Sequence, residues 1–282
     1  MYNYFDPKWH PYYKDTRLHT MQSVSKSLTA AAVGIALKND QIPGLDTKIM
    51  NYFDEYESST PDHRRDAMTI RDVLTMTTGI RWDESSMPYT DPTSNCVQME
   101  KSSDWVQYVI DQPIEFEPGE KFEYNSGATM LLSYLIKNTT GLDLTDYVET
   151  NLFEVLGITE YYWKHTPKGL TDAEGGLYLT PRDLAKFGYL YLNNGKWDDK
   201  QILPDNWVEN TLAKPVETGS PWFKYSLQWW LMPYGNDHTA LLASGLGGQR
   251  MIVLPELDIV AVFTCLLYTS PSPRDLSTSR MP

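Results

Sequence analysis

The stretch Ser23-Val24-Ser25-Lys26, followed by the apolar run from Leu28 to Leu37, decides the fold of this chain. The run is typical of a buried helix, and we predict a helix over residues 23–39. Serine and lysine three residues apart share one helix face. Because a serine hydroxyl is a weak nucleophile unaided, the spacing predicts Ser23 as a nucleophile and Lys26 as its base. Partial burial should lower the pKa of Lys26 and suit it to this role.

The tetrad alone is weak evidence, because one Ser-x-x-Lys spacing is expected by chance in a chain of 282 residues. The alternative is a helix that starts with a capping serine and carries a solvated lysine. Two further segments favour the catalytic interpretation.

The segment Tyr124-Asn125-Ser126 lies between Gly119 and Gly127 and precedes an apolar helix. A tyrosine in such a loop can present its phenol to a cleft, and a neighbouring lysine ammonium should lower the pKa of that phenol. Tyr124 would then relay the serine proton to a leaving group. A turn tyrosine that only packs its ring is the alternative, because Asn, Ser and Gly are common in turns.

The third segment, from Ala243 to Gln249, reads Ala-Ser-Gly-Leu-Gly-Gly-Gln and lies between two predicted strands. Glycines allow a backbone to approach a ligand closely. We expect the amides of Leu246 and Ser23 to form an oxyanion hole, whose donors stabilise the charge that develops in acyl transfer. A glycine bulge or a hairpin turn is the alternative.

In this order the three segments resemble the motifs of the serine β-lactamase and penicillin-binding-protein superfamily. The branch they resemble contains class C β-lactamases, family VIII carboxylesterases and 6-aminohexanoate-dimer (nylon oligomer) hydrolases. Surrounding segments match as well: 19–22 before the tetrad, 69–79, and 176–185. The resemblance covers residues 21–264.

The resemblance implies a role for each matching residue. Ser23 would be the acylated nucleophile, Lys26 its base partner, and Tyr124 the second proton shuttle. Ser126 would be the polar contact that orients Lys26. The resemblance implies no metal and no organic cofactor.

Ala243-Ser244-Gly245 stands where the family's Lys-Thr-Gly is expected. β-Lactamases and transpeptidases use that lysine to hold a substrate carboxylate, so an alanine there removes a charge. The Tyr-x-Ser variant is similar to the ester and amide hydrolases of the family. We therefore expect a carboxylic ester or a small amide as substrate, with Ser244, Gly245 and Leu246 at the substrate and oxyanion site.

Two alternatives remain open. One is a β-lactamase or a D-amino-acid carboxypeptidase or transpeptidase, against which Ala243 argues. The other is a non-catalytic binding protein of the penicillin-recognition type, which has no need of Ser23, Lys26 and Tyr124 together.

Composition restricts the partners. A formal net charge of −13 argues against binding to nucleic acid or to an anionic membrane surface. No apolar run is long enough to span a bilayer. The chain has no Gly-x-Ser-x-Gly, His-Glu-x-x-His or Cys-x-x-Cys pattern, so other hydrolase and metal chemistries lack their signals. A small-molecule partner is expected, and no oligomeric state is predicted.

Several aromatic residues are candidates for a cleft that takes an apolar acyl or aryl group, although packing is the commoner fate of such side chains. They are Trp82, Tyr89, Trp222, Trp229 and Trp230.

Element patterns predict an α+β fold of the β-lactamase/transpeptidase type, with a helical lobe against an antiparallel sheet. Helices are expected at 72–77, 104–110, 128–138, 144–156, 181–193 and 204–212. Strands are expected at 225–232, 239–243, 249–254 and 259–264. Residues 82–95 form a polar loop that is a candidate lid over the cleft.

We expect one hydrolase domain over residues 1–264, with the helical lobe at about 40–212 and the sheet lobe at about 220–264. Residues 265–282 lack any helical or strand period, and they resemble a translated sequencing adapter rather than a natural tail. The chain is expected to be a fragment that lacks N-terminal strands and a C-terminal helix. Its parent is expected to be exported to the periplasm or the outside of the cell.

Overall fold

A computed structural model describes residues 17–84, 86 and 88–264. The helix expected at Ser23 starts as a 3₁₀ turn, Gln22–Val24, and continues as α1, Ser25–Lys38. Nearly every residue of α1 is buried. A helix that is apolar all round packs in a core rather than on a surface, as this run predicts.

The other α-helices of the described residues follow in chain order. They are α2 (Ile70–Leu74), α3 (Asn95–Lys101), α4 (Trp105–Ile110), α5 (Ser126–Thr140), α6 (Leu144–Val148), α7 (Glu154–Leu156), α8 (Pro181–Leu192) and α9 (Trp207–Ala213). A π-helical turn, Glu149–Phe153, joins α6 to α7, so the helix expected over 144–156 forms with a bulge in its middle. α3 was not predicted, and α2 ends three residues earlier than expected.

The described strands are short except in one sheet. They are β1 (His19–Thr20), β2 (Tyr162–Trp163), β3 (Leu177–Leu179), β4 (Lys196–Trp197), β5 (Lys200–Gln201), β6 (Val216–Glu217), β7 (Lys224–Ser226), β8 (Trp229–Tyr234), β9 (His238–Gly245), β10 (Gln249–Leu254) and β11 (Ile259–Phe263). The main sheet is antiparallel in the order β11-β10-β9-β8-β7-β6. β1 pairs with β3 and so anchors the chain just before Ser23.

The two faces of the main sheet have different neighbours. On one face Met251 and Val260 pack against α8 at Gly188, where a Cβ would lie only 2.6 Å from Val260 Cγ1. On the other face Trp230 and Leu242 are cross-strand partners. Because side chains alternate along a strand, this second row belongs to the face opposite α8.

The strand expected over 225–232 is instead a hairpin, β7 and β8, with Leu227 and Gln228 at its turn. Both turn residues have positive φ, 43° and 63°, a conformation that usually requires Gly or Asn. Tertiary hydrogen bonds stabilise the turn. Gln228 Nε2 donates to Val73 O at 3.0 Å, and the Gln228 backbone N donates to Leu74 O at 2.8 Å.

Further hydrogen bonds reach Gln228 from the helices. Thr129 Oγ1 of α5 donates to Gln228 Oε1 at 3.0 Å, and Ser27 Oγ of α1 donates to Gln228 O at 2.8 Å. The side chain is 2% exposed. One residue of the sheet is therefore bonded to three helices.

The architecture confirms the expected α+β class, with helices packed against an antiparallel sheet. The expectations for residues 1–16 and for the tail 265–282 concern segments outside the described residues. Among the described helices, none has the length and apolarity needed to cross a bilayer.

Gly79→Ala should destabilise the fold. Gly79 has φ of +73°, and a Cβ there would lie 2.2 Å from the backbone oxygen of Phe116. The left-handed backbone conformation, which alanine disfavours, and the clash with the backbone together should lower the free energy of unfolding by about 2–4 kcal/mol, measured by urea denaturation.

Gly44→Ala is the matched control, because a Cβ at Gly44 meets nothing within 4 Å and its φ is not positive. It should leave stability unchanged or raise it slightly, since alanine restricts the unfolded chain. Equal effects of the two substitutions would contradict this packing account.

Candidate active site

Ser23 lies at the 3₁₀ turn that leads into α1. Gln22, just before it, has a φ of 50°, which is uncommon for a residue with a side chain. Such backbone strain is found where tertiary contacts hold it. Here Gln22 Nε2 donates to Thr20 Oγ1 at 3.0 Å, and the Val24 amide donates to Met21 O. The turn leaves Ser23 partly exposed at the end of a buried helix.

Lys26 directs its ammonium to this serine. Lys26 Nζ donates to Ser23 Oγ at 3.0 Å, as expected for residues three apart on one helix. It also donates to the backbone oxygen of Glu174 at 2.7 Å and forms an ion pair with Glu174 Oε2 at 3.3 Å. The side chain is 1% exposed. The ammonium therefore has three oxygen partners and almost no contact with solvent.

Tyr124 lies next to both residues. It precedes α5, whose N-terminus is capped by the Asn125 side chain. Its ring centroid is 5.4 Å from Lys26 Nζ, and its phenol interacts with the Ser23 side chain. The ring stacks on Trp230 with centroids 5.5 Å apart. The structure thus brings Ser23, Lys26 and Tyr124 together, although they come from segments about one hundred residues apart.

Ser126 has a different partner from the one expected. Its hydroxyl and its amide both donate to the carboxylate of Glu84, and none of the three partners of Lys26 Nζ is Ser126. The expectation that Ser126 orients Lys26 by direct contact is wrong. Ser126 instead holds the carboxylate that lies beside the Lys26–Tyr124 pair.

Glu84 was not predicted as a site residue. Its two oxygens accept hydrogen bonds from Trp82 Nε1 at 2.8 Å, Tyr89 Oη at 2.8 Å, and the amide and hydroxyl of Ser126. The side chain is 4% exposed. Four hydrogen-bond donors therefore surround this buried carboxylate. The sequence places Glu84 in a polar loop but does not predict its contact with Ser126, because the two residues lie 42 positions apart.

The groups around Lys26 reverse the expected shift of its pKa. Burial, the largest single cause, lowers the pKa of Lys26, but electrostatic interactions with Tyr124, Glu174 and Glu84 together outweigh burial and raise the pKa above its ordinary value. The expectation of a lowered pKa considered desolvation alone. Lys26 is therefore an ammonium at neutral pH.

The pKa of Tyr124 is raised as well. Burial is the largest cause, and Glu84 and Glu174 add to it; Lys26 and the contact with Ser23 lower the pKa but do not compensate. The expectation that Lys26 would lower the pKa of the phenol below its usual value is wrong. Tyr124 is a neutral phenol at neutral pH.

A cluster of acidic groups lies behind Lys26. Burial and the nearby charge of Glu174 raise the pKa of Asp172 to about 7. Cys96, Glu100 and Glu174 place possible metal-ligand atoms within 4.8 Å of one another. We assign no metal to them, because Glu174 is already paired with Lys26 and burial raises the pKa of the Cys96 thiol, which opposes the thiolate that a metal needs.

The glycine-rich segment approaches the nucleophile from the sheet. A Cβ at Gly245 would lie 2.3 Å from Met21 O, so only glycine allows β9 to reach the turn at Ser23. Ser23, Ser244, Gly245 and Leu246 line the same cavity. That the amides of Ser23 and Leu246 bind an oxyanion stays a prediction.

This cavity has a volume of about 570 Å³. Its apolar wall consists of Phe223, Trp230, Met232, Leu242 and Ile252. Of the aromatic candidates, Tyr89 and Trp230 line the cavity. Trp82 and Trp229 are buried in the core, and Trp222 is 72% exposed.

The sequence and fold have known relatives. The Beta-lactamase family model matches residues 6–278. A 6-aminohexanoate-dimer hydrolase of Paenarthrobacter ureafaciens is 27% identical over 265 residues, which cover 86% of this chain and 65% of that protein. The chain thus spans about two thirds of that relative's length.

Solved structures show the same fold. A Bacillus anthracis protein, provisionally named a 6-aminohexanoate-dimer hydrolase, superposes with a TM-score of 0.78 at 23% identity, over 98% of this chain and 73% of that one. EstCE1, a hydrolase with promiscuous acyltransferase activity, superposes with a TM-score of 0.71 at 16% identity, over 87% and 78% of the two chains. Since the family model matches nearly the whole sequence, the chain belongs to the beta-lactamase family, as its three motifs predict.

Proposed function

We propose that the protein hydrolyses a carboxylic ester or a small amide through an acyl-enzyme on Ser23. The observation that carries this proposal is the 3.0 Å contact of Lys26 Nζ with Ser23 Oγ beside the Tyr124 phenol, at the edge of an open cavity. A nucleophile with two proton-carrying neighbours is what acyl transfer requires.

The first half-reaction forms the acyl-enzyme. Ser23 Oγ bonds to the carbonyl carbon of the substrate, and its proton passes to the Lys26–Tyr124 pair. The negative charge that develops on the carbonyl oxygen is stabilised by the amides of Ser23 and Leu246. The bond to the leaving alcohol or amine then breaks as the pair returns a proton to it.

The second half-reaction uses water. Its oxygen bonds to the acyl carbon, one of its protons passes to the pair, and the ester bond to Ser23 breaks. The acid leaves, and the pair returns a proton to Ser23 Oγ. No net proton is gained or lost by the three side chains over the cycle.

The resting charges determine which form is active. Lys26 is an ammonium and Tyr124 a phenol, so neither can accept the serine proton until the pair has lost one proton. Because the two groups interact strongly, that loss belongs to the pair rather than to either residue. The active form is therefore the singly deprotonated pair.

The apolar wall of the cavity supports a substrate with an alkyl or aryl group. An ester or amide with such a group buries apolar surface against Trp230 and its neighbours. The 27% identical relative is named for hydrolysis of a 6-aminohexanoate dimer, which supports a small amide as an alternative to an ester.

Ser23→Ala should reduce kcat/KM for a 4-nitrophenyl ester by at least about a thousandfold, as expected when a nucleophile is removed. Ser59→Ala, at an exposed serine of the helical lobe, is the control and should retain full activity. A fluorophosphonate probe should label Ser23 in the native protein and nothing in Ser23→Ala. Unchanged hydrolysis by Ser23→Ala, or a faster turnover of a chromogenic cephalosporin than of the ester, would overturn the proposal.

Activity should rise with pH from neutrality into the alkaline range. The raised pKa values of Lys26 and Tyr124 hold the pair fully protonated at low pH, so kcat/KM should increase by up to tenfold for each pH unit until the pair has lost its proton. The measurement is a profile of log kcat/KM from pH 5.5 to 10. A profile that is flat from pH 6 to 9 would show that a different group is the base.

Glu84→Gln should move this rising limb to lower pH. The Glu84 charge raises the pKa of both Lys26 and Tyr124, and glutamine removes that charge while it keeps an oxygen acceptor. Glu55→Gln is the control, because Glu55 accepts a hydrogen bond from Tyr134 in the helical lobe and does not line this cavity. If the rising part of the pH profile of Glu84→Gln coincides with that of the native protein, the electrostatic role of Glu84 is refuted.

A further inference from the structure

The turn between β9 and β10 brings backbone groups to the cavity beside Ser23. Gly245 and Leu246 line that cavity, and Leu246 is 55% exposed. Within the described part of the chain, the Leu246 N–H donates no hydrogen bond. The turn therefore presents a free amide at the cavity, and the direction of that amide depends on the two peptide groups that flank Leu246.

The first of these peptide groups, between Gly245 and Leu246, is held by the turn itself. The Gly248 N–H donates to Gly245 O at 3.3 Å. Because a trans peptide group is planar, with its C=O and N–H in opposite directions, the Leu246 N–H points away from the interior of the turn. Gly247 has a φ of 88°, whereas the φ of Leu246 is not positive. This combination is that of a type II turn.

A buried glutamine holds the second peptide group, between Leu246 and Gly247. Gln249 Nε2 donates to Leu246 O at 3.2 Å, and Gln249 is 2% exposed. Type I and type II turns differ in the direction of this central peptide group. The Gln249 side chain thus stabilises the type II arrangement, since it gives Leu246 O a hydrogen-bond donor on β10.

Gln249 also packs close to the turn that carries the nucleophile. It is the first residue of β10 and the cross-strand partner of Gly245. A Cβ at Gly245 would lie 3.2 Å from Gln249 Cβ and 2.3 Å from Met21 O. Gln249 therefore contacts the point where β9 meets the turn at Ser23, although its side chain is not part of the cavity lining.

We propose that Gln249 is a positioning residue for the oxyanion site: its hydrogen bond to Leu246 O holds the Leu246 N–H towards the carbonyl oxygen of the substrate. The inference rests on the proposed function, because it concerns the same acyl transfer. A donor stabilises the developing charge best when its direction is fixed before the reaction. Gln249 fixes this direction without contact with the substrate.

Gln249→Met tests the proposal, because methionine has a similar length and no N–H donor. It should lower kcat for a 4-nitrophenyl ester by about tenfold to a hundredfold and change KM by less than about twofold, as expected for an interaction made in the transition state. Gln201→Met is the matched control, since Gln201 Nε2 donates to the backbone oxygens of Asn194 and Leu203 in another loop. It should retain the native kcat.

Binding of phenylboronic acid gives a readout that a merely structural role would not change. Its boron bonds to Ser23 Oγ as the serine proton passes to the Lys26–Tyr124 pair, and the tetrahedral adduct places an oxygen where the oxyanion forms. Gln249→Met should weaken this binding by the same factor as it lowers kcat/KM. In Ser23→Ala, which cannot form the adduct, addition of Gln249→Met should leave the dissociation constant of the ester unchanged.

Gly247→Ala alters the same peptide group while Gln249 remains. Alanine disfavours the positive φ that a type II turn requires, whereas asparagine tolerates it better. Gly247→Ala should therefore lower kcat as Gln249→Met does, and Gly247→Asn should retain more activity. The double variant of Gly247→Ala and Gln249→Met should lose little more than either single variant, because both act through one peptide group.

A native kcat in Gln249→Met would overturn the proposal, as would additive losses in the double variant or weaker ester binding when Gln249→Met is added to Ser23→Ala. If Gln249→Met does not fold, equal activities of Gly247→Ala and Gly247→Asn overturn it. If the native protein hydrolyses no ester but binds the boronic acid with an affinity that depends on Gln249, the positioning role stands and the proposed function fails. If hydrolysis occurs and neither kcat nor this affinity depends on Gln249, only the positioning role fails.

Discussion

The burial of one ammonium group constrains the rest of this structure. A lysine that is 1% exposed is tolerated only if oxygen atoms replace its water shell and negative charge balances its own. Glu174 meets both needs through its backbone oxygen and its carboxylate. Glu84 adds charge nearby, and it in turn requires Trp82, Tyr89 and Ser126 as donors. Glu84, its donors Trp82 and Tyr89, and the start of α5 are therefore organised around a single cation in the core.

Much of the fold and part of the site could be predicted from the sequence, because their signals are local. The apolar run of α1, the spacing of Ser23 and Lys26, and the glycine-rich turn after β9 each lie within a few residues. The convergence of Ser23, Lys26 and Tyr124 followed from the resemblance of motif order. Glu84 and Glu174 could not be found this way, since Glu84 lies 42 residues from Ser126 and Glu174 lies 148 residues from Lys26, with no sequence pattern that links them. The pKa prediction for Lys26 left out its electrostatic interactions with Tyr124, Glu174 and Glu84, and the prediction for Tyr124 left out its burial, which is the largest cause of the shift.

Strand pairing adds information that a single position lacks. Ala243 removes one positive charge from the site, and the neutral substrate expected from it stays a prediction. Antiparallel pairing, however, places residues of neighbouring strands side by side, and Arg250, which also lines the cavity, lies opposite Ser244. The charge of this site is thus a property of two strands and their register, which no single segment reveals. The hairpin at Gln228 is similar, because only its hydrogen bonds to distant helices explain a turn without Gly or Asn.

Gln228 also determines how the cleft can move. Its hydrogen bonds to Val73, Leu74, Thr129 and Ser27 join the sheet to three helices. A hinge motion that separates the sheet from the helices would break all of these hydrogen bonds together. Because Gln228 is buried, each broken bond would leave a polar group without a partner and carry a desolvation penalty. The gap between the two lobes therefore has a set width. A substrate can enter only if its cross-section fits this width. Acceptance of a bulkier substrate therefore requires substitutions of residues at the entrance of the cleft rather than a larger movement of the lobes.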